Sequence, residues 1–129
     1  MKVDGSAEIL DPYDWLPEHG ENSVKIRMEG TDLIVTIMFD GVTGASEREL
    51  RFSYVCSFYV QAFPGPSMLG PDVGEVAPLL RGALVEYPQS EAATAWKRHF
   101  SDTREVRHFS VAFLAENLLL VVLAGGVCL

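Results

Sequence analysis

The sequence predicts an α+β fold, mainly antiparallel β-sheet in two hairpin or meander units, with one packed α-helix at about residues 90–100. Three observations carry this. Apolar and polar residues alternate with period two over much of residues 24–61, the spacing of half-buried strands. A second pair of strand-like runs, EVRHFSVAFL and NLLLVVLA, closes the chain. Between them, SEAATAWKRHF has helical spacing. At 129 residues, 48% hydrophobic and 22% charged, the composition is that of one globular domain, 1–129.

Residues 1–23 read as an acidic, irregular lead-in. DPYDWLPEHGENS holds two prolines, with Tyr13, Trp15 and Leu16 as its large apolar groups. Asp11 and Pro12 suit the cap and first position of one helical turn. The clearest strand signal follows. Val24, Ile26 and Met28 alternate with Lys25, Arg27 and Glu29; beyond Gly30–Thr31, Leu33, Val35, Ile37 and Phe39 continue the apolar face. A turn at Gly30–Thr31 pairs Met28 with Leu33, Ile26 with Val35 and Val24 with Ile37. It also sets two like charges, Glu29 and Asp32, opposite each other.

A third strand is expected in RELRFSYVCSFYVQ, with Leu50, Phe52, Tyr54, Cys56, Phe58 and Val60 on one face and a bend or bulge near Val55–Cys56. The connector GVTGAS allows Phe39 to oppose Arg48, Ile37 to oppose Leu50 and Val35 to oppose Phe52. Residues 63–80, rich in proline and glycine, read as a long loop and a candidate binding surface. GALVEYP then reads as a short strand. Ser90 is the expected N-cap of the helix, with Ala92, Ala95, Trp96 and His99 or Phe100 as its inner stripe. A turn at Glu116–Asn117 sets Phe113 opposite Leu120, Val111 opposite Val122 and Phe109 opposite Ala124 in the closing hairpin.

The last 13 residues, NLLLVVLAGGVCL, carry no charge. A spanning helix needs about 20 apolar residues, and extending this run backwards meets Asn117 and Glu116. Its valines and its match to the preceding strand favour a β-strand covered on both faces, and so no membrane span. With no signal peptide visible, the expected location is cytoplasmic, of bacterial type. Cys56 and Cys128 read as reduced, buried thiols.

The net charge of −8 is uneven: residues 1–22 carry −5, and the other 107 carry −3. A field of that sign repels nucleic-acid phosphates and anionic lipid and draws in a basic partner, so no direct nucleic-acid binding is expected.

Chemistry is hard to find. His19, His99 and His108 are scattered, the cysteines lie 72 positions apart, and no metal-binding spacing occurs, so no metal or cofactor is expected. Cys56, His108 and Asp102 can be drawn as a triad, but a thiol on a core face is ordinarily inert. GPSMLG lacks the strand–elbow–helix setting of a hydrolase serine. Glu47 with Glu49, and Asp72 with Glu75, read more simply as solvated carboxylates. The expectation is a protein that is not an enzyme.

Binding fits better. In the lead-in, Asp11, Tyr13, Asp14, Trp15 and Glu18 combine aromatic anchors with a steering field; in the loop, Phe63, Met68 and Leu69 stand among prolines. The simpler reading is that both sets cover the core. In size, charge and element order over roughly the last hundred residues, with SEAATAWKRHF and the closing RHFSVAFLAENLLLVVLA, the chain resembles the small acidic immunity proteins of bacterial polymorphic toxin systems. The resemblance implies a cytoplasmic inhibitor that binds one cognate toxin, often a basic nuclease. Two alternatives stay open: a small apolar-ligand-binding β protein, its pocket lined by Phe52, Tyr54, Phe58 and Phe109, and a subunit of a homo-oligomer such as a homodimer.

Overall fold

The computed structural model describes residues 6–63 and 77–129. Two antiparallel sheets pack face to face, and helical segments cover the outer side of one of them. The smaller sheet comprises β2 (Ser23–Glu29), β3 (Asp32–Gly41), β4 (Gly44–Ser53) and β9 (Gly126–Cys128), in the order β2-β3-β4-β9. The larger contains β1 (Ala7–Leu10), β5 (Ser57–Ala62), β6 (Leu84–Glu86), β7 (Arg107–Phe113) and β8 (Leu118–Ala124), in the order β1-β6-β7-β8-β5. The helices are the short α1 (Ala77–Leu80) and the longer α2 (Glu91–His99).

The β2–β3 hairpin has the expected register: Met28 opposes Leu33, Ile26 opposes Val35 and Val24 opposes Ile37. Gly30 supplies the positive φ (63°) that a two-residue turn requires. The like charges Glu29 and Asp32 are opposite, as expected, and Arg51 from β4 reconciles them: its guanidinium lies 2.9 Å from Asp32 and 3.9 Å from Glu29.

The next hairpin corrects the expectation by two residues. Val42–Thr43 alone make the turn, so Phe39 opposes Ser46, Ile37 opposes Arg48, Val35 opposes Leu50 and Leu33 opposes Phe52. Gly44, at φ 119°, permits the tighter closure. The closing hairpin differs by the same amount. Its turn spans residues 114–117 with Asn117 at φ 54°, and Phe113 opposes Leu118, Val111 opposes Leu120 and Phe109 opposes Val122. Both shifts are even, so every side chain keeps its face.

The expected long third strand is two strands in two sheets. The chain breaks at Tyr54 (φ 51°), leaves β4 and enters the larger sheet as β5. Beside it, the chain crosses back from β8 to β9 at Gly125. Main-chain bonds tie the two crossings: Gly125 N–H donates to Ser53 O, and Cys56 N–H to Leu123 O, both at 2.7 Å. Gly125 suits this close approach, because a Cβ on it would lie a tight 3.3 Å from Ser53 O and 3.4 Å from Tyr54 Cβ. The break ends the expected common face: Leu50 and Phe52 are buried, whereas Tyr54 is 61% exposed and Phe58 and Val60 are also exposed. Neither cysteine is bonded to the other; Cys56 is half-buried and Cys128 exposed, in contrast to the buried pair expected.

Between the sheets, Leu33, Val35, Ile37, Leu50 and Phe52 meet Leu84, Phe109, Val111, Phe113, Leu120 and Val122. The rings of Phe52 and Phe109 sit 5.6 Å apart at its centre. On the far side of the larger sheet, Val85, Ala112, Leu119 and Val121 pack with Phe63, Leu79 and Tyr87. Helix α2 adds Ala93, Trp96 and Phe100 against Val106 and Leu123. Its inward stripe is therefore one position later than expected at its start: Ala92, Ala95 and His99 are exposed. Ser90 sets this phase. It caps α2, accepting from Ala93 N–H at 3.1 Å, and its hydroxyl meets His108 Nδ1 on β7 at 2.6 Å.

The lead-in is more ordered than irregular. Residues Ala7–Leu10 form β1, an edge strand on β6. The expected turn is present as a single 3-10 turn, Pro12–Asp14, capped by the Asp11 carboxylate accepting from Tyr13 N–H at 3.0 Å.

Replacing Phe109 with alanine removes a wholly buried ring from between the sheets, and urea denaturation should show a loss of about 3–5 kcal/mol. A Gly125→Val variant crowds the crossing, and the same measurement should show a loss of about 1–3 kcal/mol.

Candidate functional site

The eight candidate residues separate into distinct settings. Asp11 is committed to its cap, and Tyr13 is half-buried beside Gly20 and Gly82, where added Cβ atoms would come within 3.2 and 3.1 Å of its ring or hydroxyl. Burial, helped by Glu21 and Asp11, pushes its phenol above the ordinary value. Trp15 lies on the end of the core, its ring 5.0 Å from Phe39 and the Arg48 guanidinium 5.1 Å above it. Phe63 is buried beneath the larger sheet's outer cover. Met68 and Leu69 lie outside the described residues. Asp14 and Glu18 alone among the described candidates are exposed.

These two carboxylates belong to a larger acidic surface. His19, next to Glu18, lies 3.4 Å from the Asp40 carboxylate, which also accepts from Asn22 Nδ2 at 3.0 Å. Asn22 and Ser23, with Met38, Phe39, Ala45, Ser46 and Glu47, line a surface groove of about 400 Å³. Thus the segment from Asp14 to Asn22 lies along the β3–β4 hairpin, adding its charge to that of Asp40 and Glu47. Glu21 holds the segment from the other side: its buried carboxylate accepts from Glu116 N–H at 3.1 Å, across 95 residues of sequence. Sequence showed the acidic excess in the lead-in. Its union with Asp40 and Glu47 required the hairpin register and the Glu21 tether.

A second concavity lies beside the paired crossings. Ser53, Tyr54, Arg104, Glu105, Gly125 and Gly126 line a groove of about 510 Å³. Arg104 places its guanidinium 4.3 Å from the Phe100 ring and 5.7 Å from that of Tyr54. Alternation had put Tyr54 on the core face; the paired signal available in sequence was the aromatic-flanked Tyr54–Cys56 and the Gly125–Gly126 doublet, two sites where strands can bend.

The histidine with the closest chemical geometry is His108, through the 2.6 Å contact with Ser90. Ser90 is already the acceptor of a helix cap and is buried, while among the described residues His108 Nε2 is buried with no hydrogen-bond partner. The pair joins α2 to β7. Cys56, drawn with His108 and Asp102 from sequence, has its thiol pushed up by burial, against which Arg104 acts. Asp102 is exposed in the turn after α2. Among the described residues, no three His, Cys, Asp or Glu side chains are grouped to hold a metal ion, and no helix is long and apolar enough to cross a membrane.

The class these observations define is a two-sheet, mainly β protein with one helix of useful length, an acidic surface at one end and an apolar groove at the strand crossings. No family model matches the chain, and neither a curated protein nor a solved structure does so.

Burial pushes the His108 imidazole down to about 4. In the unfolded chain it titrates near 6.5, so between about pH 6.5 and 4 only the unfolded state takes up this proton. This contribution makes stability fall as pH drops through that window, by on the order of 3 kcal/mol in all. An NMR titration of the folded protein should show no His108 protonation above about pH 5, and a His108→Phe variant should show a flatter dependence of its urea midpoint on pH.

Proposed function

We propose that this chain is a non-catalytic binding protein for a basic protein partner, in the manner of an immunity protein that neutralises a cytoplasmic toxin. The observation that supports the reading is that the segment carrying exposed Asp14 and Glu18 lies against the β3–β4 hairpin, which bears exposed Asp40 and Glu47, the last of them lining the groove. The scaffold beneath is rigidly tied: Trp15 is seated on Phe39, Asp11 caps its own turn and Glu21 grips the β7–β8 turn. Recognition therefore falls to the charged rim and to Met38 at the groove, while Tyr13 and Trp15 hold the rim in place. A fixed acidic surface of this kind speeds association with a cationic protein and loses that advantage as salt rises.

The apolar-ligand alternative has one observation in its favour, and it moves the site. Phe52 and Phe109 fill the space between the sheets, whereas the groove beside Tyr54 is open at the surface and mostly apolar. An apolar ligand would rest there, against Tyr54 and the Gly125–Gly126 backbone.

Affinity capture from the source organism, followed by binding kinetics with the captured protein, tests the main reading. The partner should be basic, and its association rate should fall at least about tenfold between low and high salt. Reversing Asp14, Glu18 and Glu47 to lysine, all at exposed positions, should slow association by a similar factor and leave the urea midpoint unchanged. Unaltered binding by that variant overturns the reading. For the alternative, a Tyr54→Ala variant should lose the thermal shift that an apolar ligand produces.

A further inference from the structure

Among the described residues the two sheets have four edges, and three carry features that discourage strand pairing. Edge strand β1 is four residues long, its register is irregular between Glu8 and Leu10, and Glu8 is held by Arg81 at 3.2 Å. Edge strand β2 carries Lys25, Arg27 and Glu29. Edge strand β9 has only three residues. The fourth edge, β5, differs on every count. SFYVQA is six residues long, pairs with β8 in unbroken register, and contains neither charge nor proline.

The geometry of β5 defines what can bind it. Phe63 N–H donates to Asn117 O at 2.9 Å, which places the odd-numbered residues of this strand in the hydrogen-bonded positions against β8. The peptide groups of Phe58 and Val60 therefore point to the open edge. Their side chains oppose Val122 and Leu120, on the face that packs toward the smaller sheet, but among the described residues they stay outside the core between the sheets. Phe58 remains 37% exposed and Val60 42%. An occupant must be an extended strand with apolar groups two residues apart.

We infer that β5 is the seam of a homodimer, in which two copies pair their β5 strands antiparallel about a two-fold axis at Tyr59 and join their larger sheets into one. The strand matches its own requirement. In that register Phe58 of each copy opposes Val60 of the other, the two outward-facing peptide groups meet as a hydrogen-bonded pair, and both smaller sheets lie on the same side. The apolar row Val122–Phe58 then continues into Val60–Leu120 of the second copy. Charge favours this edge too. Two chains of net charge −8 repel each other, and β5 brings them together through a strip without a charged side chain. The seam leaves Asp14, Glu18 and Glu47 outside it, so it stands or falls separately from the acidic binding surface. The homo-oligomer expected from sequence used the C-terminal strand; β8 lies between β7 and β5, and the seam moves one strand outward.

Sedimentation of the full chain from about 1 to 100 μM tests the inference, with a dimer expected at the upper end. Val60→Lys places a charge on the inward side of the edge and should raise the dimer dissociation constant at least about tenfold, with the circular dichroism spectrum unchanged. Val42→Lys, at the fully exposed β3–β4 turn, should leave the dimer intact. A monomer throughout the range overturns the seam, as does a dimer that Val60→Lys leaves unaltered. Should Val60→Lys fail to fold, a Tyr59→Cys variant in a Cys56→Ser, Cys128→Ser background provides the decision: mild oxidation should yield a covalent dimer, and a monomeric product overturns the inference.

Discussion

Strand β8 presents seven apolar side chains in succession, and all but the first are buried. A strand projects its side chains to two sides, so no single layer can keep such a segment from water. One side of β8, through Leu120, Val122 and Ala124, rests on the smaller sheet; the other, through Leu119, Val121 and Leu123, rests under the helical cover. The three-layer arrangement follows from that requirement. Its neighbour β7 shares it, with Phe109 and Val111 facing one layer and Ala112 the other. Polar groups on the helix-covered side, His108 and Ser110, are the exceptions, and the Ser90 contact with His108 turns one of them into the attachment point of α2.

Because the core needs both sheets, the chain must pass between them. Among the described residues it does so three times: once through the lead-in from β1 to β2, and twice at one corner, outward at Tyr54–Cys56 and back at Gly125, where main-chain hydrogen bonds tie the two crossings. Corners of this kind are where strands change sheets in packed β structures. The conformation of Tyr54 and the bare backbone of Gly125–Gly126 are consequences of that joint, and together they produce the apolar groove. The groove is thus a by-product of the fold's connectivity, while the acidic surface is a product of how the N-terminal segment is tied down.

Sequence revealed the strands more readily than their partners. Alternation located β2, β3 and β4 and identified their buried faces, each a local pattern of period two, while β7 and β8 were found as apolar runs whose two faces both had to be covered. The same pattern is indifferent to a slip of two residues. That is why the β3–β4 and β7–β8 registers differed from expectation by two while every face was retained. The β2–β3 register was legible because a two-residue turn with Gly30 admits little choice. The site was less legible: Asp14 and Glu18 stood out as acidic, but nothing local linked them to Asp40 or Glu47, and Tyr54 carried the signature of a core residue.

Alone, the sequence determined the mainly β class, the single capped helix at Ser90, the acidic bias of the lead-in and the need to cover the closing strand on both faces. Each depends on residues close together in the chain, where pattern and capping chemistry act directly. Tertiary structure decided that Tyr54 turns outward, that β4 and β5 part into different sheets, that Trp15 seats on Phe39, and that β5 is left as the uncharged edge. Those outcomes depend on how far the smaller sheet extends over the larger one. That extent is set by contacts between residues distant in sequence, to which a local periodicity has no access.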